Sequence, residues 1–143
     1  MPDRQKMIRQ LRLHEGERLK PYRCTAGKLT IGVGRNLEDR GISAEEAAYL
    51  LNNDIDREWK DLTTNLPWVT GLSDVRQRVL LDMSFNLGID GLLKFKNTLA
   101  AIRRGDYNRA ADMMLASIWA KQVGTRAARL SQMMRSGIDG PIG

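Results

Sequence analysis

Apolar positions first recur at helical spacing. Met7, Ile8 and Leu11 predict an opening helix over residues 3–14, with Gly16 as its stop. The pattern then turns extended. Residues 22–24 and 28–33 read as two strand segments about a turn at Thr25-Ala26-Gly27, where Gly27 supplies the backbone freedom of a tight hairpin. Gly32 and Gly34 suit a bulge or a close backbone approach. The remainder is helical in pattern. Ser43-Ala44-Glu45-Glu46 forms a capping box ahead of a stripe of Ala47, Leu50, Leu51, Ile55, Trp59 and Leu62. Pro67 and Gly71 mark a loop. Ser73-Asp74 opens an apolar helix carrying Val75, Val79, Leu80, Met83 and Leu87, closed by Gly88. A short helix follows over 97–104. Another is capped by Asp106 and carries Ala110, Met113, Met114 and Ser117. A last one is capped by Thr125 and stopped by Gly137. The tail, 138–143, is expected to be disordered.

These elements predict an α+β architecture. A small N-terminal lobe over about 15–45 holds the hairpin, and a connecting helix covers about 43–62. A larger all-helical lobe covers about 63–137, grouped with the N-terminal helix. A cleft between the lobes is the expected place for a ligand.

Composition narrows the class. Of 143 residues, 42% are hydrophobic and 28% charged, which is globular and not disordered composition. No apolar run reaches the roughly 20 residues of a membrane span, and residues 1–10 lack a signal-like apolar segment, so no anchor and a cytoplasmic start are expected. A net charge of +6 draws the chain to polyanions, among them bacterial walls. The basic residues are scattered and match no nucleic-acid motif. One cysteine precludes an internal disulfide, and a lone Cys is ordinarily a small buried hydrophobe. No metal or cofactor motif is visible.

The hairpin region gathers a different set of groups. Glu15 ends the first helix, Cys24 lies nine positions on, and Thr30 six positions further. A turn at 25–27 brings Cys24 and Thr30 onto neighbouring segments, and the helix end can place Glu15 opposite them. Singly, each has an ordinary explanation: a solvated Glu, a buried thiol, a Thr chosen for strand propensity.

The wording of the segment goes further. Leu11-Arg12-Leu13-His14-Glu15-Gly16-Glu17-Arg18-Leu19-Lys20, followed by Thr30-Ile31-Gly32-Val33-Gly34, closely resembles the phage-type lysozymes, the T-even phage endolysin family of glycoside hydrolase family 24. The likeness continues through Met83-Ser84-Phe85-Asn86-Leu87-Gly88, Phe95-Lys96-Asn97-Thr98-Leu99, Ser117-Ile118-Trp119 and Thr125-Arg126-Ala127-Ala128-Arg129. The resemblance implies one lysozyme-like domain over 1–143 and a monomeric muramidase that hydrolyses the β-1,4 bond between N-acetylmuramic acid and N-acetylglucosamine in peptidoglycan. It makes Glu15 the general acid, which must hold a proton near neutral pH. It makes Cys24 and Thr30 the holders of the attacking water, and Phe85, Asn86, Thr98 and Asn36 saccharide contacts. Arg126 resembles an arginine that pairs with the acid. Access to the wall through a phage holin is likewise implied, giving a protein of the host cytoplasm that acts on the periplasmic wall and lyses the cell.

The chain departs from the family pattern in three ways. Cys24 stands where many members have Asp. A free thiol has a pKa of about 8.5, so a neutral Cys24 that positions water is expected. Arg35 replaces the usual His, and an ion pair with Asp54 is expected in its place. The stretch 35–43 is short, trimming the small lobe. Two rival classes share some features: a lytic transglycosylase that leaves 1,6-anhydro ends, and a non-catalytic cationic wall- or membrane-binding protein.

Overall fold

The computed structural model describes residues 1–140. The chain forms two compact units, 1–50 and 51–143.

The first unit opens with α1, Arg4–Glu15. Asp3 caps it, its carboxylate accepting the Lys6 N–H at 3.0 Å, and Gly16 closes it with φ of 73°. Three antiparallel strands follow in the order β1 (Arg18–Arg23), β2 (Leu29–Gly32), β3 (Arg35–Asn36). The first hairpin pairs Tyr22 with Thr30 and Arg23 with Leu29. Its register shifts between Arg18 and Tyr22, where Pro21 has no N–H to give the ladder. The turn is closed by Gly27 N–H on the Cys24 carbonyl at 2.8 Å and Cys24 N–H on the Lys28 carbonyl at 2.9 Å. Gly27 takes φ of 77°, as the turn chemistry expects.

Strand β3 and the one-turn helix α2, Leu37–Arg40, had no signal in the apolar pattern. Two residues are too few for an alternation to register. Their polar side chains are what hold them. Asn36 caps α2 through Asp39 N–H at 3.0 Å. Glu38 accepts both the Leu29 N–H and an Arg23 Nη1 hydrogen at 2.9 Å, so α2 is pinned to the first hairpin. The capping box forms as read: the Ser43 N–H reaches Glu46 Oε1 at 2.8 Å, and the Glu46 N–H reaches Ser43 Oγ at 3.1 Å. It opens α3, Ala44–Asn65, a continuous helix of 22 residues within which the two units meet in sequence.

In the second unit, α3 delivers Leu62 to the core and a single 3-10 turn, Pro67–Gly71, follows. Helix α4, Asp74–Leu93, is capped by Ser73 and buries Val79, Leu80 and Met83 completely. Gly88 has non-helical φ of 75°, so the stop read from the sequence is a break after which one further turn resumes. Helices α5 (Lys96–Arg103), α6 (Tyr107–Leu115), α7 (Ile118–Val123) and α8 (Thr125–Ser136) follow and contribute to the same core. Two expectations need correction. The helix that starts after Asp106 does not run through Ser117; it ends at Leu115, and Ser117 caps α7 by accepting the Ala120 N–H at 3.1 Å. Thr125 is the first residue of α8 and not its cap, which is Gly124. Arg76 closes the other end of α8. It donates to the Met134 and Arg135 carbonyls and lies 3.6 Å from the Tyr107 ring centroid.

The tail is ordered as far as it is described. Asp139 meets Arg78 with both oxygens, at 2.9 and 2.7 Å. The disorder expected for 138–143 therefore does not hold for 138–140, and 141–143 lie outside the described residues.

Candidate active site

Glu15 is the last residue of α1, and the positive φ of Gly16 turns the chain sharply away behind it. The Glu15 side chain folds onto the turn between β2 and β3. A Cβ built on Gly34 stands 2.9 Å from Glu15 Oε2 and 3.0 Å from its carboxyl carbon. Gly34 also has φ of 74°, so both its backbone and its neighbour demand glycine. The Ile31-Gly32-Val33-Gly34 segment is thus the floor on which the carboxyl rests.

Cys24 and Thr30 are brought together, though not as direct partners across the ladder. Thr30 opposes Tyr22. Cys24 lies one position past β1, on the same face as Tyr22 and diagonal to Thr30, within hydrogen-bonding reach of its hydroxyl. The expected terminal strand residue is therefore the first residue of the turn. That position matters chemically. The backbone N–H groups of Lys28 and Ala26 point at the Cys24 sulfur and hold the thiol below its usual value. The half-buried thiol is thus easier to ionise than a free one. Basic side chains are not the cause; turn amides are.

Thr30 sits on the central strand, between Tyr22 and Asn36, and is only 3% exposed. Its hydroxyl donates to the Lys28 carbonyl at 2.8 Å. Its oxygen lone pairs are left to accept from a thiol or a water.

Asn36 is half-buried and its amide is engaged at home. It accepts the Asp39 N–H and donates to Asp39 Oδ2, each at 3.0 Å. The ion pair expected between Arg35 and Asp54 is not the one formed. Arg35 pairs with Glu46 at 2.8 Å, and Asp54 pairs with Arg57 one turn along α3 at 2.9 Å. The reason is local: the first turn of α3 reaches Arg35, and Glu46 is already fixed there by its capping role.

In the second unit, Phe85 is 43% exposed, unusual for a large apolar residue of a core helix. Asn86 beside it is exposed and accepts the Trp119 indole N–H at 2.9 Å. That bond fixes the amide with its carbonyl oxygen inward and its two N–H donors free. Trp119 is itself nearly buried, edge-on to Phe95 with ring centroids 6.2 Å apart. Thr98 is buried in the first turn of α5. Arg126 gives its guanidinium to Asp82, through Nε at 2.8 Å to Oδ1 and Nη2 to the same carboxylate. No signal in the sequence marked Asp82 as that partner. Among the described residues no cluster of three or more His, Cys, Asp or Glu is arranged to hold a metal ion, and no helix is long and apolar enough to cross a membrane.

Comparison with known proteins places this geometry in context. The family model for phage lysozyme matches residues 12–135. The pre-baseplate central spike protein of Enterobacteria phage T4 is 28% identical over 159 residues, covering 92% of this chain but 28% of that protein. Probable T4-type lysozymes 1 and 2 of Dictyostelium discoideum are 26% and 24% identical, each match covering 89% of this chain and 92% of the relative. The chain thus spans little more than a quarter of the spike protein and nearly the whole of the two Dictyostelium proteins.

Proposed function

The chain belongs to the phage lysozyme family, and on that footing we propose that it is a muramidase cleaving the glycan strands of peptidoglycan, with Glu15 as general acid. The observation that carries the reading is the seating of the Glu15 carboxyl on Gly34, in the same small unit as the neighbouring Cys24 and Thr30.

The chemistry follows from what each group can exchange. Glu15 gives its proton to the glycosidic oxygen as that bond breaks. Charge grows at the anomeric carbon, and a water attacks it. Thr30, its own hydroxyl proton directed to Lys28, accepts a hydrogen bond from that water. Cys24, its sulfur facing two turn amides, accepts the proton the water loses when it is ionised. Atoms balance: one water is consumed, one glycosidic bond is replaced by two hydroxyls, and the Cys24 proton returns to Glu15 through solvent. In the second unit, the free amide donors of Asn86 suit a carbonyl acceptor such as an acetamido group, and the exposed ring of Phe85 suits a sugar face. Lysis of a host bacterium, with release to the wall by a phage holin, completes the proposal, and the +6 charge favours an anionic wall.

The test is digestion of purified peptidoglycan with analysis of the new ends. Reducing muramic acid ends from the wild type, absent with a folded Glu15→Gln, are expected. Exclusively 1,6-anhydro ends would instead make it a lytic transglycosylase.

A further inference from the structure

We infer that Arg35 and Glu46 form a positioning clamp that sets where the Glu15 carboxyl rests; this deepens, and depends on, the reading of Glu15 as the acid. Arg35 follows Gly34 directly in the chain. Its guanidinium grips Glu46 with two nitrogens, Nη1 to Oε1 and Nη2 to Oε2, both at 2.8 Å. Nη1 also donates to the Gly41 carbonyl at 3.2 Å. Glu46 Oε1 in turn accepts the Ser43 N–H. One carboxylate therefore ties together β3, the loop after α2 and the first turn of the 22-residue helix α3.

A partly exposed ion pair contributes little to stability on its own. Its geometry is another matter. A bidentate fork fixes direction as well as distance, and the residue it fixes adjoins the floor under the acid. The Glu15 carboxyl packs directly on that floor, since a Cβ on Gly34 would stand 2.9 Å from Oε2 and push it aside. Movement of the turn by about 1 Å either pushes the carboxyl aside or opens a gap beneath it, and displacements of that size cost about 100-fold in rate.

The experiment measures kcat and KM separately on soluble, peptide-bearing glycan fragments released from bacterial wall. It compares wild type, Glu46→Gln, Arg35→Lys and Glu15→Gln, each checked for folding by circular dichroism at the assay temperature. The clamp predicts that Glu46→Gln lowers kcat about 10- to 100-fold and leaves KM within about twofold. Arg35→Lys recovers part of the loss, because an ammonium keeps the charge without the fork. If Glu46→Gln does not fold, Arg35→Lys alone carries the comparison, with a lowered kcat and unchanged KM expected. An inactive Glu15→Gln beside an unchanged kcat in both clamp variants overturns the clamp and leaves the acid standing. An active Glu15→Gln overturns the acid and the clamp with it.

Discussion

The carboxyl of Glu15 rests on the Cα of Gly34, so close that a methyl group there would displace it. Two residues nineteen positions apart in sequence thereby define one another: the glycine exists to admit the acid, and the acid is aimed by the glycine.

Replacing Gly34 by Ala tests this contact. The new Cβ meets Oε2 at 2.9 Å, and φ of 74° disfavours any side chain. A loss of about 1–3 kcal/mol in stability is expected from the backbone, measured by thermal or denaturant unfolding. Activity should fall further than that stability loss explains, when assayed well below the melting temperature. Gly105→Ala makes the control, since it also has positive φ, of 84°, but nothing within 4 Å of its Cβ. It should lose stability and keep its activity.

Cys24 offers a chemical readout. With its sulfur facing the Lys28 and Ala26 amides, its alkylation by iodoacetamide should titrate with a midpoint below that of a cysteine in an unstructured peptide assayed alongside. A midpoint at or above that value would contradict the turn geometry. Cys24→Asp should retain much of the activity, since it supplies an anion at the same place, whereas Cys24→Ser should lose most of it.

Stability should also respond to acid in a defined window. Glu46 is held down to about 2 from 4.5, first by the Arg35 hydrogen bond and then by the Ser43 N–H. Glu38 and Asp139 are lowered too, chiefly by the Leu29 N–H and by Arg78 respectively. A carboxyl with a depressed folded value binds protons more weakly in the folded state. Its contribution is present above the unfolded value and is lost as pH falls through the folded one. The melting temperature should therefore decline from about pH 4.5 to pH 2, and Glu46→Gln should narrow the gap to wild type across that range. An equal gap at both ends would show that Glu46 carries no such linkage.

Trp119→Phe removes the indole N–H that orients Asn86. The lost hydrogen bond and the smaller ring together cost about 1–2 kcal/mol. With Asn86 free to turn, KM for glycan fragments should rise more than kcat falls. Asn86→Asp, which keeps the accepting oxygen and removes the donors, should raise KM likewise while leaving stability nearly unchanged.

Much of this architecture was legible because it rests on local rules. The capping box at Ser43 and Glu46, the hairpin turn at Gly27 and the break at Gly88 each announce themselves in a few adjacent residues. The grouping of Glu15, Cys24 and Thr30 needed the longer family pattern, because each residue alone has a commonplace explanation. What stayed hidden depends on contacts between segments. Strand β3 and helix α2 are held by polar bonds to the first hairpin, which leave no apolar periodicity. The partner of Arg35 could not be read from spacing, since Glu46 and Asp54 both lie on α3. The amides that bear on Cys24 stayed hidden for a similar reason: their directions are set by the turn, which no side-chain pattern records.

The most direct measurement of the central claim is the chemistry of the ends left on purified peptidoglycan by wild type and by Glu15→Gln of equal fold. Hydrolysis by a Glu15 acid predicts reducing muramic acid ends from the wild type and none above background from the variant. Equal release of such ends by Glu15→Gln would contradict it.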